Sequence, residues 1–104
     1  MTQTAQISFT LETREGGGRY LAHVEGRSET GELTFKRLGE DRILVDHVGV
    51  PDALRGTGVG VALALARHVV AEARAKGFTI YPQCPFLASQ AGKNPDWADV
   101  IEPV

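Results

Sequence analysis

The sequence predicts an α+β fold: an antiparallel meander of four strands leading into one β-α-β unit, with a short second helix. Three observations carry this. Four segments before residue 51 alternate apolar and polar side chains, the period of a half-buried strand, and only short turns separate them. Residues 58–76 then switch to helical period. A further short apolar run, residues 78–81, follows that helix.

In the first strand Ile7, Phe9 and Leu11 alternate with polar neighbours, and Glu15-Gly16-Gly17-Gly18 is a turn by composition. Tyr20, Ala22 and Val24 form the second strand, closed by Glu25-Gly26-Arg27-Ser28. Leu33 and Phe35 alternate with Glu32, Thr34 and Lys36 in the third, and Leu38-Gly39-Glu40-Asp41 is the next turn. Residues 43–50 make a fourth, more apolar strand. The helix places Val59, Leu63, Ala66, Val70 and Ala73 on one stripe and is rich in Ala and Leu, which favour helix. Lys76-Gly77 ends it with a favourable charge and a left-handed stop. The strand at 78–81 follows a helical crossover, so it is expected parallel to 43–50. Pro85 to about residue 92 reads as the second helix. The tail, 97–101, is expected to be a final strand or a packed coil.

Composition narrows the function classes. A chain of 104 residues suggests one domain, spanning 1–104. With 42% hydrophobic and 23% charged residues it reads as an ordinary globular protein. A net charge of −2 gives no overall attraction to nucleic acid or to an anionic membrane. No run approaches the roughly 20 apolar residues of a membrane span, and residues 1–6 lack the regions of a signal peptide. A single cysteine, Cys84, leaves no internal disulfide and no multi-cysteine metal site, so a cytoplasmic setting and no metal are expected.

The stretch with most chemical content is Val50-Pro51-Asp52-Ala53-Leu54-Arg55-Gly56-Thr57-Gly58-Val59-Gly60. Three glycines at alternate positions stand where the long helix begins. The first amides of a helix have no intrahelical partner and, with the helix dipole, attract anions such as phosphate. Arg55 adds a charge of bidentate geometry. Glycine-rich strand-to-helix turns also occur without a ligand, because glycine permits tight turns. No Lys-Ser or Lys-Thr pair follows, so a P-loop fits poorly, and the even spacing of Gly56, Gly58 and Gly60 departs from G-x-G-x-x-G. The loop lies at the carboxyl end of the fourth strand, where open sheets with parallel strands bind ligands. The strand after the helix should bring Cys84 to the same edge.

This loop resembles the acetyl-coenzyme A loop of the GNAT superfamily of N-acetyltransferases, whose pattern Q/R-x-x-G-x-G/A is met by Arg55, Gly58 and Gly60. The likeness extends to the small, stand-alone members of about a hundred residues. It runs through Gly31-Glu32-Leu33-Thr34-Phe35, His47-Val48, the loop and helix, Pro82-Gln83-Cys84-Pro85-Phe86 and Asn94-Pro95-Asp96-Trp97-Ala98-Asp99-Val100, roughly residues 18–100. The resemblance implies a GNAT-like fold binding acetyl-CoA. The diphosphate would rest on Arg55, Gly56, Thr57, Gly58, Val59 and Gly60. Main-chain groups of the preceding strand, Val48 and Val50 among them, would face the acetyl carbonyl and pantetheine where the strands splay. The chain departs from its small relatives at Gln90, where they carry Tyr. It departs also at Asn94, where they carry His, and at Phe35 and Trp97, commonly Tyr. In many GNAT enzymes a tyrosine of the second helix protonates the leaving thiolate, which Gln90 cannot do.

Two residues remain as candidates for catalysis. Cys84 precedes Pro85, which suits a first helical turn, so Cys84 would cap the helix. A helix N-terminus favours thiolate, yet a free cysteine is equally at home as a small buried hydrophobe. Near the acetyl site its roles would be proton donor, transient acetyl acceptor or simple lining. His47 continues the alternation of Ile43 and Val45 and is expected on their sheet face, as a structural residue or as the base that takes a proton from an incoming ammonium. His23 and His68 have no partner visible in the sequence, and Phe78, Tyr81, Phe86 and Trp97 read as packing. The expected function is therefore transfer of an acetyl group from acetyl-CoA to an amine, by a monomer or a homodimer. The alternatives are a non-catalytic CoA or acyl-CoA binding module, and a thiol-based activity at Cys84.

Overall fold

The computed structural model describes residues 6–54 and 60–103. Five strands, β1 (Ile7–Arg14), β2 (Gly17–Val24), β3 (Thr30–Gly39), β4 (Arg42–Gly49) and β5 (Thr79–Pro82), form one sheet in the order of the chain. The first four are antiparallel neighbours, and β5 pairs in parallel with β4 across the helix α1 (Val61–Lys76). The helix α2 (Pro85–Lys93) follows β5. The meander, the single β-α-β unit and the second helix are those the sequence predicts.

The first turn is tighter than its composition suggests. Only Glu15 and Gly16 turn, with Gly16 at φ 81°, while Gly17 and Gly18 are buried strand residues. A Cβ at Gly17 would meet the Phe35 carbonyl oxygen, and one at Gly18 the Glu12 carbonyl oxygen. These glycines serve close backbone approach between strands, not turning.

Tyr20, Ala22, Val24, Leu33, Phe35, Ile43, Val45 and Ile80 form the buried side of the sheet. α1 packs on it with Val61, Leu65, Ala66, Val69, Val70 and Ala73. The expected stripe supplied Ala66, Val70 and Ala73, whereas Leu63 is only half-buried. The row Val61, Leu65 and Val69 widens the apolar face, as a helix lying on a broad sheet requires. Gly60 and Gly77 bracket α1 in left-handed conformation, at φ 66° and 80°, and the Gly77 N–H donates to the Ala73 carbonyl at 2.8 Å. A short 3-10 turn, Pro95–Asp99, then buries Trp97, and Ile101 makes a single parallel bridge to Ile80. The tail is thus one bridge, not a strand. The other side of the sheet carries Glu12, Arg19, Glu32, Thr34 and His47, all exposed or half-buried.

Candidate functional site

The β4–β5 ladder is short. It runs from Arg42↔Thr79 to Val45↔Pro82 and ends with the Cys84 N–H donating to the Val45 carbonyl at 2.9 Å. β4 continues to Gly49 with β3 as its partner. Among the described residues, the opposite edge of Asp46–Gly49 therefore has no strand partner. The sheet parts between its two parallel strands at their carboxyl ends.

At the same point β4 carries a bulge. Phe35 pairs with Val45 and Thr34 with His47, which leaves Asp46 as the extra residue. The Thr34 hydroxyl donates to Asp46 Oδ1 at 2.6 Å and holds the bulge. The bulge reverses the alternation beyond it. His47 opposes Thr34 on the polar side and is exposed, while Val48 opposes Leu33 and packs against the core. His47 therefore does not share the face of Ile43 and Val45, as strict alternation would have it. Its ring lies over Gly49, where a Cβ would come within 2.7 Å of Nε2, so a side chain at residue 49 would push the imidazole away.

Cys84 is the N-cap residue of α2, in extended conformation with Pro85 following, as the sequence suggests. It is also 5% exposed and belongs to the buried cluster. The two candidates thus flank the parting of the sheet, His47 on its polar side and Cys84 with the core. Gly60 is exposed at the start of α1 and accepts the Ala64 N–H at 2.9 Å. Next to it, Val61 lies against Gly31, whose Cβ would sit 2.6 Å from Val61 Cγ1 and 3.6 Å from the Gly49 carbonyl. The helix start, the head of β3 and the end of β4 converge there. Val48 and Val50 are half-buried against the core. Arg55, Gly56, Thr57, Gly58 and Val59 lie outside the described residues.

Other titratable groups are engaged elsewhere. His68 stacks on Phe9, with centroids 4.0 Å apart, and meets the Tyr20 ring edge-on at 5.3 Å. Burial there lowers its pKa, partly opposed by Glu72. Burial, then Glu72, raises the Tyr20 phenol well above its ordinary range, so Tyr20 keeps its proton. The Asn94 amide donates to the Gln90 main-chain carbonyl at 2.7 Å. Among the described residues no group of three acidic, histidine or cysteine side chains could hold a metal, and no helix is long and apolar enough to cross a membrane.

The polar row escaped the sequence reading. Glu12 on β1 pairs with Arg19 on β2, Arg19 with Thr34 on β3, and Thr34 with His47 on β4. Alternation marks Glu12, Arg19 and Thr34 as outward-facing but puts His47 inward, and only the strand register with its bulge at Asp46 aligns the four.

A family model described as GCN5-related N-acetyl-transferase matches residues 19–100. Among solved structures, the chain is similar to a GCN5-like candidate N-acetyltransferase from Staphylococcus aureus, determined in solution by NMR. The identity is 27%, the TM-score is 0.63, and the match covers 91% of this chain and 89% of that one. No curated protein matches.

Proposed function

The chain belongs to the GCN5-related N-acetyltransferase family, and from that membership we propose that it transfers an acetyl group from acetyl-CoA to a primary amine. Acyl transfer is the chemistry of the family; the donor and the acceptor are our reading. The observation that carries it is the parting of β4 from β5 after Val45, beside a helix that starts at an open, left-handed glycine.

The main chain fits such a donor. Residues 46–49 offer an edge that no strand among the described residues covers, one that can bond a pantetheine amide and polarise a thioester carbonyl. Arg55, Gly56, Thr57, Gly58, Val59 and Gly60 would receive the diphosphate at the start of α1. Val48 and Val50 would present their main chain along the pantetheine arm. When bound, acetyl-CoA supplies an acyl group activated by its thioester. The amine nitrogen then forms a bond to the acyl carbon as the carbon–sulfur bond breaks. One proton must leave nitrogen, and His47, exposed on the polar side, would take it. One must reach the departing sulfur, and Cys84, across the parting, would provide it in the absence of a tyrosine at Gln90.

Titration calorimetry with acetyl-CoA to millimolar concentration, followed by an amine-dependent thiol-release assay, tests this. Binding followed by amine-dependent release is expected. His47→Gln should lower kcat/KM by about 10²-fold, the low end of general-base contributions. Absence of acetyl-CoA binding overturns the proposal. Binding without release from any amine would favour the passive module, the reading that Gln90 supports.

A further inference from the structure

The uncovered side of the sheet is electrically ordered. At the bulge it carries two carboxylates, Asp46 and Glu32, around His47. Glu32 pairs with Gly49, over which the His47 ring leans, so it is one strand from the imidazole. Toward the β1–β2 turn the sign reverses. Arg14, Arg19 and Lys36 there stand against Glu12 and Glu15. Arg14, Gly17 and Lys36 are successive partners across β1, β2 and β3, so the two cations flank a residue without a side chain. Arg19 is committed to Glu12 at 2.7 Å and Glu32 at 3.1 Å. The side chains of Arg14 and Lys36 make no hydrogen bond or ion pair with a described residue. A groove of about 430 Å³, lined by Glu12, Arg14, Gly18, Arg19, Glu32 and Thr34 among others, runs from Arg14 to Glu32 and Thr34, the strand partners of Gly49 and His47.

We propose that this groove is the acceptor site and that the acceptor is a dipolar amine, one whose primary amino group is accompanied by an acidic group. The inference rests on the acetyl-transfer reading above. The ammonium is received between Asp46, Glu32 and His47, and the acid by Lys36 and Arg14. From the strand spacing and rise, Lys36 stands about 8 Å from His47 along the sheet and Arg14 about 16 Å. An acceptor with its two charges roughly 10 Å apart spans the distance between these limits.

Three probes of equal length separate the possibilities: 8-aminooctanoate, 8-amino-1-octanol and 1,8-diaminooctane. The expected order of kcat/KM puts the amino acid first and the diamine last. Lys36→Glu and Arg14→Glu should each cut the ratio of amino acid to amino alcohol by about two- to fivefold, as exposed charge pairs do. Added salt should shrink the same ratio. Equal rates for the three probes, preference for the diamine, or variants that leave the ratio unchanged would overturn the inference. In those cases turnover of the amino alcohol would leave the acetyl-transfer reading standing. Should no amine be acetylated, amide shifts in an NMR titration with 8-aminooctanoate decide the matter. Shifts at Thr34 and Lys36 that vanish in Lys36→Glu support the site, and their absence rejects it.

Discussion

Gly18 shows how much one methyl group can matter. Its missing Cβ would collide with the Glu12 carbonyl and approach the Phe35 ring. Gly18→Ala must displace backbone, so it is expected to cost about 1–3 kcal/mol, read from urea denaturation. The sequence marked the Glu15–Gly18 run as special but named the wrong cause, because composition does not distinguish a turning glycine from one that lets two strands close. His68 offers a test with a definite sign. Burial against Phe9 and Tyr20 holds its folded pKa below the ordinary 6.5. Between those two values the unfolded chain binds the proton and the folded chain does not, so stability falls as pH drops through about 6.5. The urea midpoint is expected to decrease from pH 7.5 to pH 5.5, and less so in His68→Phe. An equal decrease in the variant would show that other groups set the slope.

The bulge in β4 is the element on which the site turns. Without Asp46 as an extra residue, His47 would point into the core and Val48 toward solvent. Thr34→Val removes the 2.6 Å bond that anchors it. A loss of about 1 kcal/mol in stability is expected, together with a fall in kcat/KM as His47 loses its support. Wild-type kinetics in Thr34→Val would show that the bulge holds without the bond. Strand identities, the end of α1 at Lys76 and the cap at Cys84 were legible because they rest on local periodicity, Gly77 and Pro85, whereas α1 begins at Val61 rather than at residue 58 because Gly60 turns left-handed before it. The face of His47 was not, since period-two counting assumes an unbroken ladder. One inserted residue inverts everything after it, and its stabilising partner Thr34 is twelve positions away.

Two arginine forks hold the tail against the sheet and α1. Arg42 donates to both Glu102 oxygens at 2.7 and 2.8 Å, and Arg74 to Asp99 at 2.8 and 2.9 Å and to the Asp96 carbonyl at 2.8 Å. Between them, Glu102 N–H donates to the Ile80 carbonyl. Arg74→Gln is expected to speed hydrogen exchange at Glu102 and Ile80 while the β1–β3 amides keep their protection. Hydrogen bonding to these arginines lowers the pKa of Asp99 and Glu102. Their contribution is therefore complete above the ordinary carboxylate values of 3.8 and 4.5 and is lost only as pH falls below them, well clear of the His68 window. The sheet's connectivity has a further consequence, for how the chain is made. Every strand lies beside its predecessor, so hairpins can assemble one after another as the polypeptide leaves the ribosome. Only the last pairing must wait for α1 to be synthesised. Such short-range topology is associated with rapid folding, and it keeps nascent strand edges unsatisfied for the least time.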